Sequence, residues 1–231
     1  MNDMCCSIDV SQTANFGARG NTFIAEQHNG LSVADATQIA FSIFREYYPQ
    51  LREELLQDLR KLLEQELKDV PDENIVPPTP RIAIPALQNA SITEESEIRE
   101  LYAKLLANSM NKVLKDGVHP GYIEIIKQLS PDEAKILKIM MGKATFPMIT
   151  LRYEDGLGQG LDALVDFSLV GELAKCENPY NTRQYFDNLE RLGLIERDRG
   201  YVLKNEDRYK ELENHPIVEE KKCGPFPTFD G

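Results

Sequence analysis

Five residues, Val76-Pro77-Pro78-Thr79-Pro80, restrict the fold of this chain more than any composition statistic does. Proline has no amide hydrogen and pushes the residue before it toward extended backbone, so this segment is not helical. With Ile82, Ile84 and Pro85 it reads as an extended, polyproline-like strap. Pro77 and Pro80 also have the spacing of a ligand for an aromatic groove. The apolar neighbours Ile75, Val76, Ile82 and Ile84 favour packing on the body of the protein instead.

Helical patterns flank the strap. Ser32-Val33-Ala34-Asp35 has capping-box spacing, with Asp in place of Glu or Gln. Ala36, Ile39, Ala40, Ile43, Phe44 and Tyr47 follow at helical spacing until Pro49 ends or kinks the helix. Leu51, Leu55, Leu59, Leu62 and Leu63 mark a second helix reaching about Leu67, whose stripe packs on the body or pairs with a second copy. Beyond the strap, Thr93 is the expected N-cap of the clearest helix, and Glu94, Glu95 and Glu97 occupy its first turn, where the helix dipole favours anions. Ile98, Leu101, Tyr102, Leu105, Leu106, Met110 and Val113 share one face, and Gly117 is the expected stop. A further helix starts near Pro120. Ser130-Pro131-Asp132-Glu133 then supplies an N-cap, a proline at the first helical position and the Glu of a capping box.

After Pro147 the pattern changes. Met148 to Tyr153 reads as a strand, and Leu161 to Ala174 is ambiguous between helix and strand. Pro179 to Leu192 is helical, with Tyr185, Phe186, Leu189 and Leu192 on one face and Gly193 ending it. Leu194-Ile195-Glu196-Arg197 and Tyr201-Val202-Leu203-Lys204 resemble strands around Asp198-Arg199-Gly200, a hairpin signal. A helix followed by a charged hairpin has the outline of a winged helix. The expected architecture is therefore mainly α. An Asn/Gln/Gly-rich arm over 1–30 precedes a helical region with its strap over 31–118, a winged-helix-like α+β domain over 119–215 and an irregular tail over 216–231.

The chain carries 26 basic and 38 acidic residues, a formal charge of -12, so its field repels phosphate and anionic lipid. Arg183 and Arg191 on the last helix and Arg197 and Arg199 on the wing are the candidate nucleic-acid contacts. Asp187, Glu190, Glu196 and Asp198 cancel them locally, which argues against nucleic acid as a partner. No apolar run approaches the roughly 20 residues of a membrane span, and the start MNDMCCSIDV lacks the features of a signal peptide. Cys5, Cys6, Cys176 and Cys223 have no C-x-x-C spacing, as expected of free thiols in a reducing cytoplasm, and the three histidines have no metal-ligand spacing. Gly156-Leu157-Gly158-Gln159-Gly160 lacks the Lys-Ser/Thr of a phosphate cradle and reads as a loop. No catalytic, cofactor or metal site is legible. In the arm, Asn21, Thr22, Phe23, Ile24 and Gln27 form a low-charge, β-prone run that reads as a flexible arm or a hairpin lying on the body, or else as a self-associating segment.

The block Asn74-Ile75-Val76-Pro77-Pro78, the segment Ile82 to Leu87, the helix Glu97-Ile98-Arg99-Glu100-Leu101-Tyr102-Ala103-Lys104-Leu105-Leu106-Ala107 and the run from His119-Pro120 to Ser130-Pro131 together resemble the bacterial abortive-infection alpha family. The likeness spans roughly residues 31 to 215. It implies a cytoplasmic bacterial protein of phage defence and carries no catalytic residues. The leading expectation is a non-enzymatic protein acting through contacts with a protein partner or a second copy. A DNA-binding regulator and an effector enzyme with a site assembled from distant residues are the alternatives.

Overall fold

A computed structural model of the chain describes residues 32–35, 37–38, 41–42, 53–141, 145–154, 160–198 and 202–223. The candidate self-association residues Asn21, Thr22, Phe23, Ile24 and Gln27, together with Arg199, lie outside them. The described fold is mainly helical with one two-stranded antiparallel sheet. Residues 33–35, 37–38 and 41–42 are helical. Ser32 caps this stretch as its sequence requires: the Asp35 amide donates to Ser32 Oγ at 3.1 Å, and Ser32 Oγ donates to Asp35 Oδ2 at 2.6 Å.

The first core lies between α1 (Glu53–Leu67), α2 (Pro80–Ala90), α3 (Ser96–Met110) and α4 (Gly121–Ile126). Leu55, Leu59, Leu63 and Leu67 recur every four residues on α1 and are all buried, and Leu59, Leu63 and Leu67 share one core with Tyr102, Leu106 and Met110 of α3. The buried Arg99 ties the two helices together. Its Nε and Nη2 reach Asp58 Oδ2 at 2.9 and 2.7 Å, and its Nη1 donates to the carbonyls of Thr93 and Glu94 at 2.8 and 2.7 Å.

The strap is extended only over 75–79. There Ile75 bridges Asn111, the Val76 amide donates to the Met110 carbonyl at 2.8 Å, and the Lys112 amide donates to the Asn74 carbonyl at 2.8 Å. The expected extended course through Ile82, Ile84 and Pro85 is corrected, because Pro80 opens α2. At the first helical position the missing amide would have been unsatisfied anyway. Burial of Ile82, Ala83, Ala86, Leu87 and Ala90 on one face outweighs the disturbance from the internal Pro85.

The same pairing alters α3. Asn111 turns extended to meet the strap, so the helix stops at Met110 rather than at Gly117, and Val113 is left 73% exposed instead of joining the buried face. At its start the N-cap is Glu95, while Thr93 Oγ1 donates to the Asn89 carbonyl at 2.8 Å.

The second half comprises α5 (Pro131–Met140), β1 (Ile149–Glu154), β2 (Gly160–Phe167), α6 (Val170–Leu173), α7 (Thr182–Arg191), α8 (Asp207–Glu213) and α9 (Pro216–Cys223). Ile136, Val170, Phe186 and Leu189 centre a second core, and Phe167, Leu169, Leu212 and Val218 a third. Leu129 packs against both the first and second cores, so apolar contact is continuous between them. Gly171 is required by close approach: a Cβ there would sit 2.1 Å from the Pro179 carbonyl oxygen. Gly193 ends α7 with φ +70°, as its sequence position anticipates.

Two expectations fail here. Residues 195–198 and 202–203 are not strands, so the described residues do not form the expected wing hairpin. The donors a ladder would use are taken by side chains: the Arg197 amide by Glu190 Oε1 at 3.2 Å, and the Leu203 amide by the Tyr209 hydroxyl oxygen at 3.1 Å. The expected irregular tail from 216 instead begins with α9, whose Val218 is buried.

These contacts predict that Leu106→Ala lowers the unfolding free energy by about 3 kcal/mol. Val113→Ala, beyond the end of α3, changes it by less than about 0.5 kcal/mol. Denaturant titration of both variants checks the pair.

Candidate functional site

Among the described residues of the second half, three clusters of ionisable side chains are anchored by helix ends. The first centres on Asp132, which follows Pro131 in the first turn of α5. The capping box there is complete: the Ser130 amide donates to Glu133 Oε2 at 2.7 Å, and the Glu133 amide donates to Ser130 Oγ at 3.3 Å. Asp132 is thereby aimed at the loop between α6 and α7. It accepts from the amides of Glu177 and Asn178 at 3.0 and 3.2 Å, from the Tyr185 hydroxyl at 2.7 Å and from Lys135 Nζ at 3.1 Å.

Burial by itself raises the pKa of Asp132, but these four donors outweigh it and bring the carboxyl down to about 2. Its partner Tyr185 is shifted upward, by burial first and then by its bond to Asp132. Burial and the Asp132 charge push the neighbouring Cys176 thiol up to about 11, so it remains protonated and a poor nucleophile near neutrality. Asn188 of α7 adds a further tie, donating to Glu133 Oε2 at 3.0 Å and to the Gln128 carbonyl at 2.9 Å.

The second cluster surrounds Arg197, whose side chain is only 8% exposed. Its Nη1 lies 2.9 Å from Asp166 Oδ2 and 2.7 Å from Asp187 Oδ1, while its Nε donates to Glu190 Oε2 at 3.0 Å. Asp166 is fully buried at the end of β2 and holds φ at +54°, a conformation Asp tolerates better than most residues. Its amide donates to Thr150 Oγ1 at 3.3 Å, and its carbonyl accepts from Thr182 Oγ1, at the first turn of α7, at 3.1 Å.

The third cluster is His215. Its Nε2 lies 2.9 Å from Glu172 Oε1, and its ring packs against Phe167 and Tyr180 with centroids 5.2 and 5.7 Å away. The Ile217 amide donates to His215 Nδ1 at 3.3 Å, at the start of α9. His119 does the same at the start of α4, accepting from the Gly121 amide at 3.0 Å. A His-Pro dipeptide thus opens a helix twice in this chain.

Of the candidate nucleic-acid contacts, Arg183 is exposed on α7. Arg191 is exposed but bonded to Gln128 Oε1 at 3.0 Å and to Asn188 Oδ1 at 2.6 and 3.1 Å. Arg197 is turned inward to its carboxylates. The structure does not bring these three into one positive face. Sequence patterning missed the joining of Asp132 to the 177–178 loop and of Arg197 to Asp166, because both partners are distant along the chain. One signal was present: Tyr185 falls on the apolar face of its helix, and a buried tyrosine hydroxyl needs a polar partner. Among the described residues no group of three or more His, Cys, Asp or Glu is placed to hold a metal ion, and no helix is long and apolar enough to cross a membrane.

The sequence profile of a family described as Abortive infection alpha matches residues 51–224, most of the chain, and the protein belongs to that family. No curated protein and no solved structure matches it.

The charge arithmetic at Arg197 predicts a stability phenotype. Arg197→Met removes the guanidinium that Asp166, Asp187 and Glu190 share and costs about 3 to 5 kcal/mol. Adding Asp166→Asn removes one of the carboxylates that shared it, so the double variant loses less than the sum of the two single variants. Denaturant titration of the four proteins measures that coupling.

Proposed function

We propose that this member of the abortive infection alpha family is a cytoplasmic phage-defence protein that acts through protein contacts rather than by chemistry of its own. One observation carries the reading. Among the described residues, the buried charged side chains Arg99, Asp132, Glu133, Asp166 and Arg197 are each matched by partners within the chain, and every one joins separate elements. Charges spent on holding helices together are not poised to polarise a substrate. The surplus of 38 acidic over 26 basic residues is then left to the exterior, where it favours basic or neutral polypeptide surfaces over nucleic acid. In this reading the low-charge arm containing Asn21, Thr22, Phe23, Ile24 and Gln27 supports self-association. The DNA-regulator alternative, with its winged-helix outline, has less support, because Arg197 is committed to carboxylates and Arg191 to Gln128 and Asn188.

Plaque counts on cells expressing the chain test the proposal. Protection is expected to persist when exposed carboxylates and histidines are substituted one at a time, and to fall when residues 1–30 are removed. Loss of protection from a single exposed carboxylate or histidine substitution that leaves the circular dichroism spectrum and binding to the protein partner unchanged would instead identify a chemical step.

A further inference from the structure

A cleft of ≈ 1150 Å³ opens between β1, the C-terminal end of α5, α7 and α8. Met148, Ile149 and Phe186 form its apolar floor. The apolar wall does not stop at the mouth: Leu194 and Val202 continue it outward and are 38% and 72% exposed. Around this wall stand the exposed carboxylates Glu196, Glu206 and Glu213. Among the described residues, the two cations of the lining are each engaged by carboxylates: Arg197 by Asp166, Asp187 and Glu190, and Lys210 Nζ by Asp207 at 2.6 Å.

We infer that this cleft docks a polypeptide segment in which basic side chains flank apolar ones. The inference rests on the protein-contact reading above and names the chemistry of the partner. Two features select that occupant. The acidic rim repels phosphate and carboxylate ligands and attracts Lys or Arg. The volume exceeds the roughly 300–1,000 Å³ of a drug-sized ligand pocket, and its apolar lining runs onto the open surface, which suits several consecutive side chains rather than one enclosed small molecule. Basic residues at the rim would leave their alkyl stems on Val202 and Leu194 with their charges facing the carboxylates.

Fluorescence anisotropy of the full chain with two labelled synthetic peptides tests this. Both peptides carry the same apolar residues, one with lysines at the polar positions and the other with glutamates. The lysine peptide is expected to bind and the glutamate peptide not to. Glu196→Lys with Glu206→Lys is expected to weaken the lysine peptide about tenfold or more, and Val202→Asp to weaken it as well. Glu54→Lys with Glu73→Lys makes the same change in net charge away from the cleft and is expected to leave binding unchanged. All substituted positions are exposed, and circular dichroism confirms that each variant is folded. Equal binding of both peptides, no binding of either, or equal weakening by the two lysine pairs would overturn the inference. Phage protection is measured on the same variants. Protection that is intact in Glu196→Lys with Glu206→Lys, while peptide binding is lost, sinks the cleft as the working surface and leaves the wider reading standing.

Discussion

The carboxylate of Asp132 sets the arrangement of the second half of the molecule. A buried charge is tolerated only when its hydrogen-bonding capacity is filled. This one is filled by groups from three places: Lys135 on its own helix, the amides of Glu177 and Asn178 in a loop, and the hydroxyl of Tyr185 on α7. None of these partners can move alone without leaving the charge short of a donor. The loop is fixed in turn by the close approach of Gly171 to Pro179 and by the Cys176 amide, which donates to the Gly171 carbonyl at 2.9 Å. With α7 placed against α5, Phe186 and Leu189 meet Ile136 and Val170 in a common core. Asp187 and Glu190 then fall where Arg197 can reach them together with Asp166.

Local chemistry was readable in the sequence at several helix ends, though not at Thr93, whose hydroxyl donates to the Asn89 carbonyl instead of capping α3. Ser130 and Glu133 announce their capping box, Gly193 its left-handed turn, and the leucines of α1 their buried stripe. Reading failed where a distant group decided the outcome. The strap could not reveal that Met110 and Asn111 would take up its hydrogen bonds, and that pairing sets the end of α3. The residues at 194–197 read as a strand, but Glu190 occupies the Arg197 amide and the carboxylates draw its side chain inward. Helices α8 and α9 are too short for periodicity to stand out; their position depends on Leu212 and Val218 meeting Phe167 and Leu169.

The family assignment and the structure bear on different questions. The family links the chain to abortive infection. The structure shows how an acidic chain disposes of its buried charge: Arg99, Arg197 and Asp132 are each absorbed in joints between elements. The buried charges of these three residues thus serve as joints between elements. The surface remaining near the C-terminal helices combines exposed carboxylates with apolar side chains, a combination suited to polypeptide recognition.

Ionised Asp132 holds α5, α7 and the 176–178 loop together. Its pKa is lowered from the ordinary 3.8 to about 2 in the folded protein, so its contribution is complete above pH 4 and disappears as pH falls through the folded value. The direct measurement is the unfolding free energy of the wild type and of Asp132→Asn between pH 7 and pH 2. The wild type is expected to be the more stable by about 2 to 3 kcal/mol near neutrality, with the gap closing as the solution is acidified from pH 4 to pH 2. A gap that is absent at pH 7, or that persists unchanged to pH 2, would contradict this role of Asp132.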